Sequence, residues 1–363
     1  MKITFPHLGN VYIVAKAFLE ELGHEVVPPP VPSKKTLEIG IKLSPEMMCL
    51  PFKVCMGNYI ESIENGADTI LITGSCGPCR FGFYSNMQEY ILKDLGYEVD
   101  MITLESPREG FNEFKENVGK LIGSNSIINI GRNIKPALDL IKQADDLTQL
   151  SNNIRAYAID KTEVNSIMDK YYNQAMETYG IKQIVELIQD TEIKLKDVKI
   201  NKDYQPIKIG IIGEIYTIIE PFVNLEVERK LGEMGVLVEK SLTPTAWFKH
   251  HVYSYPFGSK EEKKKFKLAK PYLETLVGGH GRETIGSAVH YKNIGYDGVI
   301  QILPLNCMPE IVAKSILKTV REDLKFPILT LVVDEMTGEA GYMTRLEAFV
   351  DLITKRKEKY RVG

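Results

Sequence analysis

The chain has 363 residues, long enough for two full hydrophobic cores. A formal net charge of −3 argues against a nucleic-acid or acidic-lipid partner. No apolar stretch reaches transmembrane length, and the start Met1-Lys-Ile-Thr-Phe-Pro lacks the apolar core of a signal peptide, so the chain reads as cytoplasmic with no membrane part.

Lys2 to Leu8 reads as a short strand, and Val11 to Leu22 as a helix with Val11, Val14, Ala15, Phe18, Leu19 and Leu22 on one face. Gly23 ends that helix, and Glu25 to Val27 forms the next strand, stopped by Pro28-Pro-Pro30. This βαβ start carries no Gly-x-Gly-x-x-Gly, so no dinucleotide site is signalled. His7 and His24 read as surface or capping histidines. Residues 31–51 read as irregular and bring Cys49 to the front of Leu50-Pro51. A helix follows from Phe52 to Asn65, with Cys55 on its first turn, where the helix dipole favours a thiolate, and Lys53 beside it.

Ala67 to Thr73 reads as a buried parallel strand, broken by Gly74, Gly77 and Pro78. Cys76 and Cys79 therefore stand where a strand of an open α/β sheet ends, which is where such sheets place ligands. A Cys-x-x-Cys pair supports several chemistries. A redox dithiol expects a helix start in a much smaller domain. Zinc expects a second pair at ligand spacing, and no second Cys-x-x-Cys exists. An iron–sulfur site needs three or four thiolates, which Cys49, Cys55, Cys76, Cys79 and Cys307 supply. Buried, inert cysteines are the bland alternative. Five cysteines are too few and too clustered for a secreted disulfide framework.

Helices are expected at Asn86 to Leu95 and Phe111 to Ile122, around a strand from Glu98 to Leu104. From Lys135 to Ile193 the pattern is helical and polar, a connector between two sheets. At Pro206 the α/β rhythm restarts with a strand at Ile207 to Ile212, a helix from Phe222 to Met234 and a strand at Val236 to Val238. An insertion from Trp247 to Leu276 carries a basic run, Lys260 to Lys267, read as a solvated helix face. Gly278-Gly-His-Gly-Arg282 is a glycine-rich loop without the Gly-Lys-Ser/Thr of a phosphate-binding loop. Gly298 to Pro304 is a strand, and Cys307 follows it as Cys76 follows the strand of the first half. A helix from Glu310 to Glu322, a strand from Pro327 to Asp334 and a helix from Gly341 to Lys355 close the chain. The expected fold is α/β: two Rossmann-like lobes with parallel sheets, a divergent duplication, at residues 1–134 and 206–363, joined by a helical connector at 135–205. The expected site is a cleft at the strand C-terminal ends, closed by Cys307 from the second lobe.

Four stretches carry a resemblance. They are Cys49-Leu-Pro-Phe-Lys53, Gly74-Ser-Cys-Gly-Pro-Cys-Arg-Phe-Gly-Phe-Tyr84, Pro304-Leu-Asn-Cys-Met-Pro-Glu310 and the run from Asp334 to Asp351. Together they resemble the 2-hydroxyacyl-CoA dehydratase component family, in its activase-associated branch. The resemblance implies a cysteine-bound iron–sulfur protein of an anaerobic cytoplasm, carrying a 4Fe-4S cluster or a double-cubane 8Fe-9S cluster. It also implies a separate ATP-hydrolysing activase of the actin-like fold that delivers a low-potential electron for a reductive or dehydratase-type reaction. The thiol count favours the single cubane, since a double cubane asks for about six ligands. Arg80 and Lys53 would offset the negative charge of such a centre, and the edge near Cys55 and Arg80 is the expected docking surface. No residue is assigned to CoA or to a small-molecule substrate, and a homo- or heterodimer is compatible with the chain. Lacking nucleotide-binding motifs, the chain is not expected to hydrolyse ATP alone. The competing reading is a zinc- or cluster-stapled scaffold that docks to an activase-like ATPase without catalysis of its own.

Overall fold

Short runs of two to seven residues build two separate four-stranded sheets, every pairing parallel. The computed structural model describes residues 1–74, 79–104, 111–122, 127–249 and 259–362. The first sheet has the order β2-β1-β3-β4, from β1 (Lys2–Thr4), β2 (Glu25–Val26), β3 (Thr69–Thr73) and β4 (Asp100–Leu104). The second has the order β6-β5-β7-β8, from β5 (Lys208–Gly213), β6 (Leu237–Lys240), β7 (Gly298–Pro304) and β8 (Ile328–Val333). Parallel neighbours need crossover connections, and helices supply them. In the first half these are α1 (Val11–Glu21), α2 (Lys34–Leu43), α3 (Leu50–Glu64) and α4 (Tyr84–Asp94), with α5 (Phe111–Ile122) after β4. Three long helices follow: α6 (Ile127–Tyr157), α7 (Lys161–Glu177) and α8 (Gly180–Lys196). The second half uses α9 (Ile215–Ile219), α10 (Val227–Glu233), α11 (Pro244–Phe248), α12 (Lys260–Ala269), α13 (Gly281–Asn293), α14 (Met308–Asp323) and α15 (Glu339–Val362).

The chain divides into two compact units, Met1–Ala144 with Tyr172–Ile188, and Asp145–Tyr171 with Gln189–Gly363. Buried polar groups tie Tyr172–Ile188 to the first sheet's α1. Lys16 Nζ donates to the Thr178 carbonyl at 2.6 Å and pairs with Glu20 at 2.8 Å, while the amide of Gly180 donates to Glu20 at 2.9 Å. Lys16 and Glu20 are both about nine-tenths buried, so the pair holds only because each charge finds hydrogen bonds besides its partner.

The duplication is visible residue by residue. The amide of Lys2 donates to Asp68 at 2.7 Å, and that of Lys208 donates to Asp297 at 2.8 Å, each closing the N-terminal edge of its sheet. A Cβ on Gly57 would sit 1.9 Å from the Thr36 carbonyl oxygen, and one on Gly286 would sit 2.0 Å from that of Lys265. Thus α2 crosses α3, and α12 crosses α13, at a distance only glycine allows. Positions 36, 57 and 68 answer to 265, 286 and 297, one constant separation of 229 residues. By the same separation, Cys55 of the first unit answers to Thr284 of the second.

Several expectations need correction. Residues 31–51 are not irregular: α2 forms within them. Ser33 caps its start, accepting from the Thr36 amide while the Ser33 amide donates to the Thr36 hydroxyl. A second contact locks α2 to α3 from the other direction, since a Cβ on Gly40 would lie 1.8 Å from the Lys53 carbonyl. The helix after Cys49 starts two residues early, because Pro51 fits its first turn. Cys55 therefore lies in the second turn and Cys49 is the N-cap. The helix expected from Phe222 starts only at Val227; Leu225 and Glu226 adopt left-handed backbone angles that interrupt it. His7 is not at the surface: it is 4% exposed, stacks on Tyr12 at 4.3 Å, and its amide donates to Asn58. Along the basic helix α12, Lys265 turns inward and donates to the Ser241 carbonyl at 2.6 Å, while Lys260, Lys263, Lys264 and Lys267 stay exposed.

Candidate functional site

The described cysteines share one backbone setting. Cys49 precedes α3, Cys79 precedes the short 3-10 helix Arg80–Phe83, and Cys307 precedes α14. All three are N-cap residues with φ of −70°, −74° and −75° and extended ψ, and no side chain of the three caps its own helix. Proline follows within the first turn of α3 and of α14, so Cys49-Leu-Pro51 and Cys307-Met-Pro309 are the same device used twice. An N-cap places a residue where the first helical N–H groups and the positive end of the dipole converge, which favours negative charge on sulfur. Cys49, Cys79 and Cys307 are half-buried, and Cys55 is buried at 1% exposure.

Two contacts stitch the Cys49 segment to the Cys79 segment within the first unit. The Cys49 Sγ and the Tyr84 hydroxyl are hydrogen-bonded at 2.6 Å. Arg80 donates from Nη1 to the carbonyl of Met47 at 2.7 Å. Tyr84 is itself held edge-on by Phe52 of α3, ring centroids 5.0 Å apart, and by Phe81 at 5.1 Å. Arg80, expected from sequence to offset the charge of a cluster, has this structural task in the fold. Tyr84, the last residue of the Gly74–Tyr84 stretch, carries no local signal that it would meet a sulfur. Lys53 is buried, at 2% exposure, on the helix turn between Cys49 and Cys55.

Deeper in α3, Tyr59 lies one turn beyond Cys55. Burial, and then the charge of Cys55, push its hydroxyl well above the usual tyrosine range. Among the described residues that hydroxyl finds no hydrogen-bond partner, nor does either amide atom of Gln88, a fully buried residue on the same face of α4 as Tyr84. Buried polar atoms without partners are uncommon in folded proteins.

Among the described residues no three of His, Cys, Asp and Glu converge as a metal-holding group. Cys76, the centre of the expected site, lies outside the described residues. The donor chemistry, soft thiols at N-caps with a hydroxyl aimed at one sulfur, is of the kind that suits an iron–sulfur group. A complete ligand set in the first unit requires Cys76. Cys307 belongs to the second unit, at the C-terminal end of β7.

That end of β7 carries a site the sequence reading passed over. Glu310, on the first turn of α14, is 1% exposed. Thr284 of α13 donates to its Oε1 at 2.7 Å and Gln301 of β7 donates to its Oε2 at 2.9 Å. Burial pushes this carboxyl up to about 7, against the two hydrogen bonds that favour its charge and with the added repulsion of Glu214 and Glu283. In sequence it was read only as an ordinary acid starting a helix.

The family model described as a CoA enzyme activase uncharacterised domain (DUF2229) matches residues 7–73. The match runs from His7 to the last residue of β3, taking in Cys49 and Cys55 and stopping just before the Cys76–Cys79 loop. It links this part of the chain to CoA enzyme activation. No curated protein matches the chain.

Proposed function

We propose that the chain is an iron–sulfur protein of a CoA-enzyme activation system, taking low-potential electrons from a separate ATP-hydrolysing activase for a reductive or dehydratase-type reaction. The observation that carries this reading is the pair of cysteine segments, 49 and 79, each at an N-cap and joined through Tyr84 and Arg80. The activase-domain match over the preceding residues supports the choice of system.

In this reading Cys49, Cys55, Cys76, Cys79 and Cys307 are the ligand pool for the cluster, a 4Fe-4S centre by thiol count, which takes three or four of them. Bound there, such a cluster supplies a one-electron acceptor. The protein's own part is to stabilise charge. The start of α3 favours negative charge on Cys49, and the Tyr84 hydroxyl donates to it. Phe52 and Phe81 pack on Tyr84 and hold it in place.

The test is reduction under anaerobic conditions. A weak donor should reduce the loaded protein only when an activase of the actin-like ATPase class and ATP are both present. Full reduction by the weak donor alone, or ATP turnover by the isolated chain, overturns the reading.

A further inference from the structure

The C-terminal edge of the second sheet gathers three carboxylates on three elements. Glu214 follows β5 and caps α9, accepting from the amides of Tyr216 and Thr217 at 3.0 and 2.8 Å. Glu283, on the first turn of α13, pairs with His280 at 3.7 Å. Glu310, buried at the start of α14, feels the charge of both. The starts of α13 and α14 are held close: a Cβ on Gly281, the first residue of α13, would lie 2.7 Å from the Pro309 carbonyl.

The hydrogen bonds around Glu310 run in one direction. Thr330 of β8 donates to Gln301 Oε1 at 3.1 Å, which turns the Gln301 amide nitrogen toward Glu310. That nitrogen also reaches the Glu310 backbone carbonyl at 3.2 Å. Gln301 and Thr330 are cross-strand partners, so the orientation is set by the sheet register itself. Among the described residues the charges felt by the carboxyl, those of Glu214 from the β5–α9 turn and Glu283 from α13, are both negative, and β7 meets it with the neutral amide of Gln301. A fully buried carboxyl with two hydrogen-bond donors and two acidic neighbours sits between opposing demands. The donors favour its charged form, and burial and the neighbours favour its neutral form.

We propose that Glu310 is a proton-binding site of the second unit, taking up one proton when the strand edge it shares with Glu214 and Glu283 gains negative charge and releasing it when that charge leaves. The proton adds to one carboxylate oxygen and no other bond changes. The Thr284 hydroxyl, its donor in the charged state, turns to accept from the new O–H, and as a helical threonine it can then donate a hydrogen bond to the carbonyl four residues back, that of His280. The Gly278–Gly281 loop thereby feels the state of Glu310. Any reaction or ligand that brings an electron or an anion to this edge is then accompanied by proton uptake, which keeps the buried charge constant.

The experiment is a titration of the metal-free full chain with carbon-13-labelled glutamate side chains, the Glu310 resonance being assigned by its loss in Glu310→Gln. Wild type is expected to titrate near neutrality, well above ordinary glutamates. Glu214→Gln, which keeps an acceptor for the α9 cap and removes a charge, should move the midpoint down. Asn306→Asp adds a charge on the same edge, in a left-handed turn position that Asp tolerates, and should move it up. A wild-type midpoint in the ordinary carboxylate range overturns the proposal, as does a midpoint that neither charge variant moves. Neither variant replaces a cysteine, although Asn306 adjoins Cys307, and the titration is run without metal, so the outcome is independent of whether the chain binds a cluster.

Discussion

The Tyr84 hydroxyl meets the sulfur of Cys49 across the boundary between α4 and α3. It joins the first residue of one helix to the N-cap of another, and both segments carry cysteine motifs. With the hydroxyl gone, Cys49 keeps its helix dipole and loses a donor. Tyr84→Phe preserves the ring packing on Phe52, so it should leave the fold intact and slow alkylation of Cys49 at neutral pH several-fold, roughly the worth of a hydrogen bond of about 1 kcal/mol. Mass spectrometry of iodoacetamide adducts over time measures this. An unchanged rate would mean that the hydroxyl does not tune the thiol.

The close helix crossings give a stability prediction with its own control. Gly57→Ala and Gly286→Ala each push a Cβ to within about 2 Å of a backbone carbonyl, on helix pairs that cannot part without moving the sheet beneath. Each should cost about 1–3 kcal/mol or more in denaturant unfolding. Gly119→Ala on α5 meets nothing within 4 Å and should stabilise by about 0.5–1 kcal/mol. Equal effects at the three positions would contradict the crossing geometry.

Stability should also carry the signature of Glu310. Its folded value, about 7, lies above the ordinary 4.5 of the unfolded chain. Below pH 4.5 the group is neutral in both states. Between about 4.5 and 7 the unfolded chain gives up the proton while the folded one keeps it, so stability falls as pH rises. Above 7 the loss is complete, on the order of 3 kcal/mol. Glu310→Gln should remove this slope and make the protein more stable than wild type at pH 8. Urea unfolding at several pH values, with both proteins showing the same slope, would refute it.

Much of the architecture was legible in the sequence, for identifiable reasons. The run Gly298 to Pro304 is buried at every position and appears with those bounds, because a strand covered on both faces must be apolar along its length. Gly23, Gly66 and Gly235 end their helices with positive φ, as glycine past a helix end should. The helix α2 was not legible, because its sequence Lys34-Lys-Thr-Leu-Glu-Ile-Gly-Ile-Lys-Leu43 is largely polar. It is held by backbone contact at Gly40 and by the Thr36 hydroxyl donating to Glu61 at 2.6 Å, both interactions with distant residues. Of the candidate site, the sequence offers the cysteines and nothing of their surroundings. The Tyr84 and Arg80 links, and the burial of Glu310, depend on which segments the sheets bring side by side, and no local pattern records that.

The central claim is that these thiols hold an iron–sulfur cluster, and metal content tests it most directly. Protein prepared without oxygen should contain about four iron atoms per chain with matching acid-labile sulfide, and Cys76→Ser with Cys79→Ser should lose both while the helical content stays. Stoichiometric zinc with no sulfide, or iron content indifferent to these two substitutions, would contradict the account.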